Sequence, residues 1–208
     1  MAQLPDAVIV NTLMLQALVA AQEVMGENGL NAVLRTSGLD RYVGNFPPND
    51  LEPAIQAAQY ARFNQAIEDF YGRGGKGMLR RIGKASFQYG VREQAALLGV
   101  AGVALKLLPE KQRIKFILNG LGDALRKTNP QVEIWLDETG ERIAYVESTC
   151  GVCNGRKSDQ PICHLYVGSI AEAVQWATGK PHDVTETHCM AKGDEFCRFE
   201  IGAVSADA

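Results

Sequence analysis

The sequence predicts an α+β fold, with a helical N-terminal part packed on a small antiparallel sheet made of two hairpins and an intervening helix. Three observations predict it. Up to about residue 128 the apolar residues recur at helical spacing, from Gln131 onward the period falls to two, and two alternating segment pairs flank one further amphipathic stretch. A chain of 208 residues with 46% hydrophobic content can bury one sizeable core. With no internal repeat, it reads as a single domain over 1–208, mainly helical over 1–128 and carrying its chemistry over 129–202.

The elements follow in order. Val8, Leu13, Leu15, Leu18 and Val19 predict a helix from Asp6 to about Met25, and a second short helix covers Leu30 to Arg35. The paired prolines of GNFPPND, Gly44 to Asp50, break the pattern. Leu51 to Tyr71 is again helical, with Asp50 as its candidate cap and Ile55, Ala58, Phe63, Ile67 and Phe70 apolar. After Gly72 to Gly77 come Met78 to Tyr89 and Val91 to Leu108, as one long helix or two abutting ones, and Pro109 starts a helix running to about Lys127.

Gln131 to Asp137 and Arg142 to Thr149 alternate around an E-T-G-E turn and predict the first hairpin. A cysteine-containing loop, Cys150 to Pro161, leads into a helix from about His164 to Thr178 with Gly179 as its terminator. On that helix Val167, Ile170, Ala171 and Val174 share a face that should pack on the sheet. Val184 to His188 and Phe196 to Gly202 form the second hairpin.

Composition excludes some function classes. A net charge of -3 gives no basic footprint for nucleic acid. The most apolar stretch, Ala95 to Leu108, carries Lys106 and falls short of the roughly 20 apolar residues of a membrane span. It reads as a buried helix and a pocket wall. The N-terminus lacks the basic start of an export signal, so a cytoplasmic location is expected, where clustered cysteines point to metal or redox chemistry.

Cys163, Glu186, Cys189 and Cys197 are the candidate metal ligands. Cys189 and Cys197 lie symmetrically about Gly193, so an antiparallel turn through Lys192, Gly193 and Asp194 sets the two thiols opposite each other. Thiolates with one carboxylate suit zinc better than magnesium or calcium. Glu186 and Cys189 are an odd number of residues apart, which requires a bulge or early strand end near Thr187 and His188 if both are to face one ion. Cys163, opening a helix, gains from the partial positive charge there.

Other motifs stay open or argue for nothing special. Cys150 and Cys153 form a C-x-x-C that can bind a second metal, replace Cys163 or Glu186, act as a redox pair, pin the loop, or remain reduced and non-ligating. His164 and His188 adjoin proposed ligands but read as non-ligands, and His182 reads as solvated. GRGGKG lacks the phosphate-loop arrangement, and Arg73, Lys76, Arg80, Arg81 and Lys84 beside it read as a solvated helix face.

With those residues in view, the order and spacing of Cys163, Glu186, Cys189 and Cys197, the G-K-P at Gly179 to Pro181 and the G-D-E-F-C-R-F ending at Gly193 to Phe199 resemble the 4-vinyl-reductase domain family. The resemblance covers roughly Pro161 to Ile201. That family includes sensor domains of phenol- and xylene-responsive activators, a bacteriochlorophyll-synthesis protein and free-standing hydrocarbon-binding proteins, and by fold it is related to a Golgi-tethering subunit. The resemblance implies that the four residues are zinc ligands beside an apolar cavity for a small aromatic or hydrophobic molecule. It also implies a homodimer and signalling through a protein partner.

Three functions are therefore weighed: a zinc-stabilised small-molecule sensor, an auxiliary, carrier or reductase in (bacterio)chlorophyll vinyl reduction, and a dimeric adaptor with a lipid-filled or empty cavity. The sequence weighs against catalysis, because four protein donors leave no open metal position and no nicotinamide fingerprint follows a strand.

Overall fold

Helices precede the main sheet, as the change of hydrophobic period demands. The computed structural model describes residues 7–93, 105, 107–128, 132–140 and 142–205. The expected pocket-wall helix Ala95 to Leu108 lies largely outside the described residues. Strand β1 (Val8–Val10) leads into α1 (Asn11–Thr36), and β2 (Pro53–Gln56) leads into α2 (Ala57–Tyr71). Helix α3 (Gly75–Glu93) and helix α4 (Glu110–Thr128) complete the helical part. Then come β3 (Ile134–Asp137), β4 (Ala144–Glu147), α5 (His164–Thr178), β5 (His182–His188) and β6 (Cys197–Val204).

Helix α1 is broken at Gly26, whose φ of 77° lies in the left-handed region that glycine adopts without penalty. The break separates the two helices expected around Met25 and Leu30. The N-terminal boundaries differ from expectation, however. Val8–Val10 is a strand rather than the start of a helix, and it pairs antiparallel with Pro53–Gln56, which was expected to be helical. Asp50 is accordingly no helix cap: its carboxylate accepts from Asn11 Nδ2 at 2.8 Å and from the Glu52 amide at 3.0 Å, tying the two short strands together.

The main sheet has the order β3-β4-β6-β5, antiparallel throughout. Register places Ile134, Leu136, Tyr145, Glu147, Cys197, Phe199, Ile201, Val184 and Glu186 on one face, because directly opposed residues point the same way. Helix α5 packs against β5, α4 against β3, and α3 against α5, with α1 and α2 packed on α3. Glycines permit the α3–α5 crossing. A Cβ on Gly83 would lie 1.9 Å from the Leu165 carbonyl oxygen, and one on Gly168 would lie 2.0 Å from that of Arg80. Val167, Ile170 and Val174 of α5 are buried, and Gly179, with φ of 76°, ends the helix through its amide bond to Gln175 O.

Candidate metal centre

Five cysteines converge where β4, α5 and the β5–β6 turn meet. Cys150 and Cys153 follow β4 in a loop, Cys163 occupies the cap position of α5, and Cys189 and Cys197 face each other across the turn. The turn is built as the sequence requires: a 3-10 segment Met190–Lys192 is followed by Gly193 at φ of 97°. Strand register continues the His188–Arg198 pairing toward Cys189 and Cys197, and it shifts between Glu186 and His188. The irregularity expected there is present, and it puts Glu186 and Cys189 on the same side.

All five sulfurs are buried, four of the residues at 0% exposure and Cys150 at 3%. Sulfur separations are 3.5 Å for Cys150–Cys163 and Cys153–Cys197, and 3.9 Å for Cys163–Cys189 and Cys163–Cys197. Zinc with thiolates at about 2.3 Å in tetrahedral array holds its sulfurs about 3.8 Å apart, so these distances fit that ion. Two quartets have mutual donor distances within 4.8 Å: Cys163, Glu186, Cys189 and Cys197, and Cys150, Cys153, Cys163 and Cys197. The first is the quartet singled out in the sequence. The second draws in the C-x-x-C pair, whose place the polar loop after Asn154 did not reveal.

Glu186 shows why this pocket suits a cation. One carboxylate oxygen accepts the Cys163 amide at 2.8 Å, while Oε1 is buried with no hydrogen-bond partner among the described residues. Burial, with Cys189 adding to it, pushes the carboxyl up to about 9. Burial likewise raises the Cys163 thiol, and a metal would displace these protons. The Met190 amide points at Cys197 Sγ from 3.4 Å, and the Cys189 amide donates to Asp194 Oδ2 at 2.7 Å.

The loop carrying Cys150 and Cys153 is anchored to α2. Arg156 bonds Glu68 Oε2 at 2.6 Å and Gln65 Oε1 at 3.0 Å, with its side chain only 8% exposed. Burial raises the Glu68 carboxyl even so, with Arg156 opposing that rise. Beside the cluster the loop and turn also border a surface cleft, lined by Arg156, Lys157, Asp159, Lys192, Asp194 and Glu195, whose polar walls do not suit an apolar guest.

The histidines are arranged differently from expectation in one case. His182 is buried rather than solvated, with Nδ1 3.1 Å from Gly202 O and Nε2 3.8 Å from Glu110. His164 is buried, and burial followed by Arg80 pulls it down to about 4. His188 is exposed and packs on Phe196 with ring centroids 5.5 Å apart. Arg73, Lys76, Arg80, Arg81 and Lys84 are exposed, as a solvated face would be.

One buried acid escaped the sequence reading. Glu147 is 2% exposed on the inner face of β4, and Oε2 has no partner among the described residues. Burial, then Cys153, raises its carboxyl far above the ordinary range, so it is a neutral acid with an O–H to donate. Facing the same interior is Tyr60 of α2, fully buried, its hydroxyl also without a partner among the described residues. Tyr60 titrates abnormally high through burial first, then Cys150 and Glu147. Tyr145, Tyr166 and Phe199 supply aromatic walls nearby. The available signal was phase, since Glu147 alternates in step with Ile143 and Tyr145.

Comparison with known proteins assigns this region. Residues 145–203 match the 4-vinyl-reductase domain, whose motif the cysteines and Glu186 carry. The chain is 38% identical over 78 residues to the uncharacterized protein MJ0745 of Methanocaldococcus jannaschii, covering 38% of this chain and 42% of that protein. It is 36% identical over 64 residues to MJ0855 of the same organism, covering 30% and 28%. The match thus spans less than half the length of these relatives.

Similar solved structures extend over nearly the whole chain. An Fe(II) unliganded H-NOX protein from K. algicida superposes with a TM-score of 0.60 at 11% identity, covering 93% of this chain and 96% of that one. An oxygen-binding H-NOX domain related to soluble guanylate cyclases gives 0.58 at 11%, covering 93% of each. An H-NOX protein from S. oneidensis in the Fe(II)NO state gives 0.56 at 13%, covering 94% and 99%. At such identities the likeness is one of fold, and that fold is α+β. No helix among the described residues is long and apolar enough to cross a membrane.

Proposed function

We propose that this chain is a zinc-stabilised module that binds a small hydrophobic or aromatic molecule and reports its occupancy through a homodimer or a protein partner. The observation that carries this reading is the pair of buried, unpartnered groups on Tyr60 and Glu147, set among aromatic side chains beside the cysteine cluster. An unpaired buried hydroxyl or carboxyl costs roughly 1–3 kcal/mol, so a fold that keeps two together is prepared for something that bonds them. The 4-vinyl-reductase domain match and the H-NOX-like architecture support a small-molecule role, and the neighbours' printed descriptions name oxygen and nitric oxide complexes.

The metal's part is structural. Cys163, Glu186, Cys189 and Cys197 would hold zinc, with Cys150 and Cys153 as additional donors, and the ion would fasten α5 to the β5–β6 turn. Four protein donors leave it no open position, which argues against a metal-centred reaction. A carrier of a vinyl-bearing tetrapyrrole is the second reading, favoured by the same domain match.

Native mass spectrometry of freshly purified protein, followed by thermal-shift measurement with phenols, alkylbenzenes, fatty acids and porphyrins, tests the proposal. One class should raise the melting temperature in a concentration-dependent way. Absence of a shift with every class, and of any co-purified molecule, would sink the binding role.

A further inference from the structure

Two quartets of donor atoms in this chain share an edge. Cys163 and Cys197, 3.9 Å apart, belong to both, while Cys150 and Cys153 complete one quartet and Glu186 and Cys189 the other. We infer that the cluster takes two soft divalent cations, with the Cys163 and Cys197 thiolates bridging them. The inference rests on the metal reading proposed above and goes beyond it in number and connectivity.

Donor arithmetic supports this arrangement. A single tetrahedral ion uses four donors and strands two of the buried set beside it. Two separate ions need eight. Two ions sharing two donors need six, and five cysteines with Glu186 are six. Charge agrees as well: five thiolates and one carboxylate carry six negative charges, and two dications reduce them to a net -2. One dication would leave the surplus thiols protonated in a dry interior.

The shared edge also sits where bridging is easiest. Cys163 and Cys197 come from the start of a helix and the start of a central strand, both rigid elements, whereas terminal donors come from the loop and the turn. Cys197 Sγ receives the Met190 amide, which steadies a sulfur shared by two ions. Cys150 and Cys153 are kept within reach by the Arg156 anchor to α2. Each thiol that ligates gives its proton to solvent, so the uptake of metal is accompanied by proton release and no electron changes hands.

Zinc-loaded full-length protein, freed of loosely bound ion by gel filtration, decides the matter by elemental analysis and native mass spectrometry. Two zinc ions per chain are expected, and Cys153→Ser should retain one. Cadmium-substituted protein should give two cadmium resonances coupled to each other, a signature that only bridging thiolates transmit. One ion per chain in the wild type, or two uncoupled resonances, overturns the shared edge while leaving the zinc site standing. No bound ion overturns both. If Cys153→Ser does not fold, the wild-type stoichiometry and coupling still decide.

Discussion

Gly168→Ala should loosen the whole assembly, because the group in its way is backbone. The added Cβ would lie 2.0 Å from Arg80 O, 2.7 Å from Arg80 C and 2.8 Å from Arg80 Cα, none of which can rotate aside. Ordinary contact begins at 3.4 Å, so the two helices must part by about 1.4 Å or one must bend. Overpacking of this kind costs about 1–3 kcal/mol, here at the upper end, while the better helix propensity of alanine returns about 1 kcal/mol. A net loss of about 2 kcal/mol lowers the melting temperature of a chain this size by roughly 4–8 °C. Because Gly168 lies little more than one helical turn from Cys163, metal retention should weaken as well. The control is Gly120→Ala in α4, where a Cβ meets nothing within 4 Å and stability should rise by up to about 1 kcal/mol. Thermal unfolding followed by circular dichroism reads both. A Gly168→Ala protein as stable as the wild type would refute the close crossing.

Three further outcomes are expected. Arg156→Met leaves Glu68 buried without its cation and should cost about 2–3 kcal/mol in urea unfolding, a loss that adding Glu68→Met largely restores; an additive double variant would show the pair to be unimportant. Tyr60→Phe removes an unpartnered hydroxyl and should stabilise ligand-free protein by about 1 kcal/mol while shrinking the thermal shift given by the active ligand class; unchanged ligand response would remove Tyr60 from the site. The Asp137 carboxyl is held down to about 2 by the Thr139 hydroxyl and amide and then by Arg198. Its folded value lies below the ordinary 3.8, so its contribution is complete above 3.8 and disappears as pH falls through 2. Carboxyl NMR titration should show Thr139→Ala moving it back toward 3.8.

Periodicity made the long elements legible, and spacing made most of the cluster legible. Helices of fifteen residues or more repeat their apolar stripe often enough to be seen, as α2 and α5 do. The two short N-terminal strands do not: three and four residues cannot display a period, and Val8 and Ile55 fit a helical stripe equally well. Cys189 and Cys197 could be paired because a turn of known hand joins them. Cys150 and Cys153 could not, since what brings them to the others is Arg156 reaching Gln65 and Glu68, some ninety residues earlier in the chain. His182 was misread for a similar reason. Its burial depends on Gly202 and Glu110 lying beside it, and neither is a sequence neighbour.

Where the chain breaks local rules is where the chemistry collects. A core built for stability alone would fill the space between β4, α2 and α5 with leucine and valine, yet this one places Glu147, Tyr60 and Glu186 there with acceptor or donor atoms unpartnered among the described residues. Such groups lower stability unless a further species bonds them. Glu186 lies within donor reach of three sulfurs, so a cation is the species that relieves it. Glu147 is a neutral acid beside a phenol and aromatic rings, so an uncharged molecule with a hydrogen-bonding group relieves it. The two sites meet at the same loop, since Cys150 and Cys153 follow β4 directly and Arg156 pins that loop to the helix bearing Tyr60. A shift of α2 by a seated molecule therefore bears on the loop thiols through one ion pair, which makes Arg156 the side chain whose loss should uncouple ligand occupancy from the geometry of the cluster.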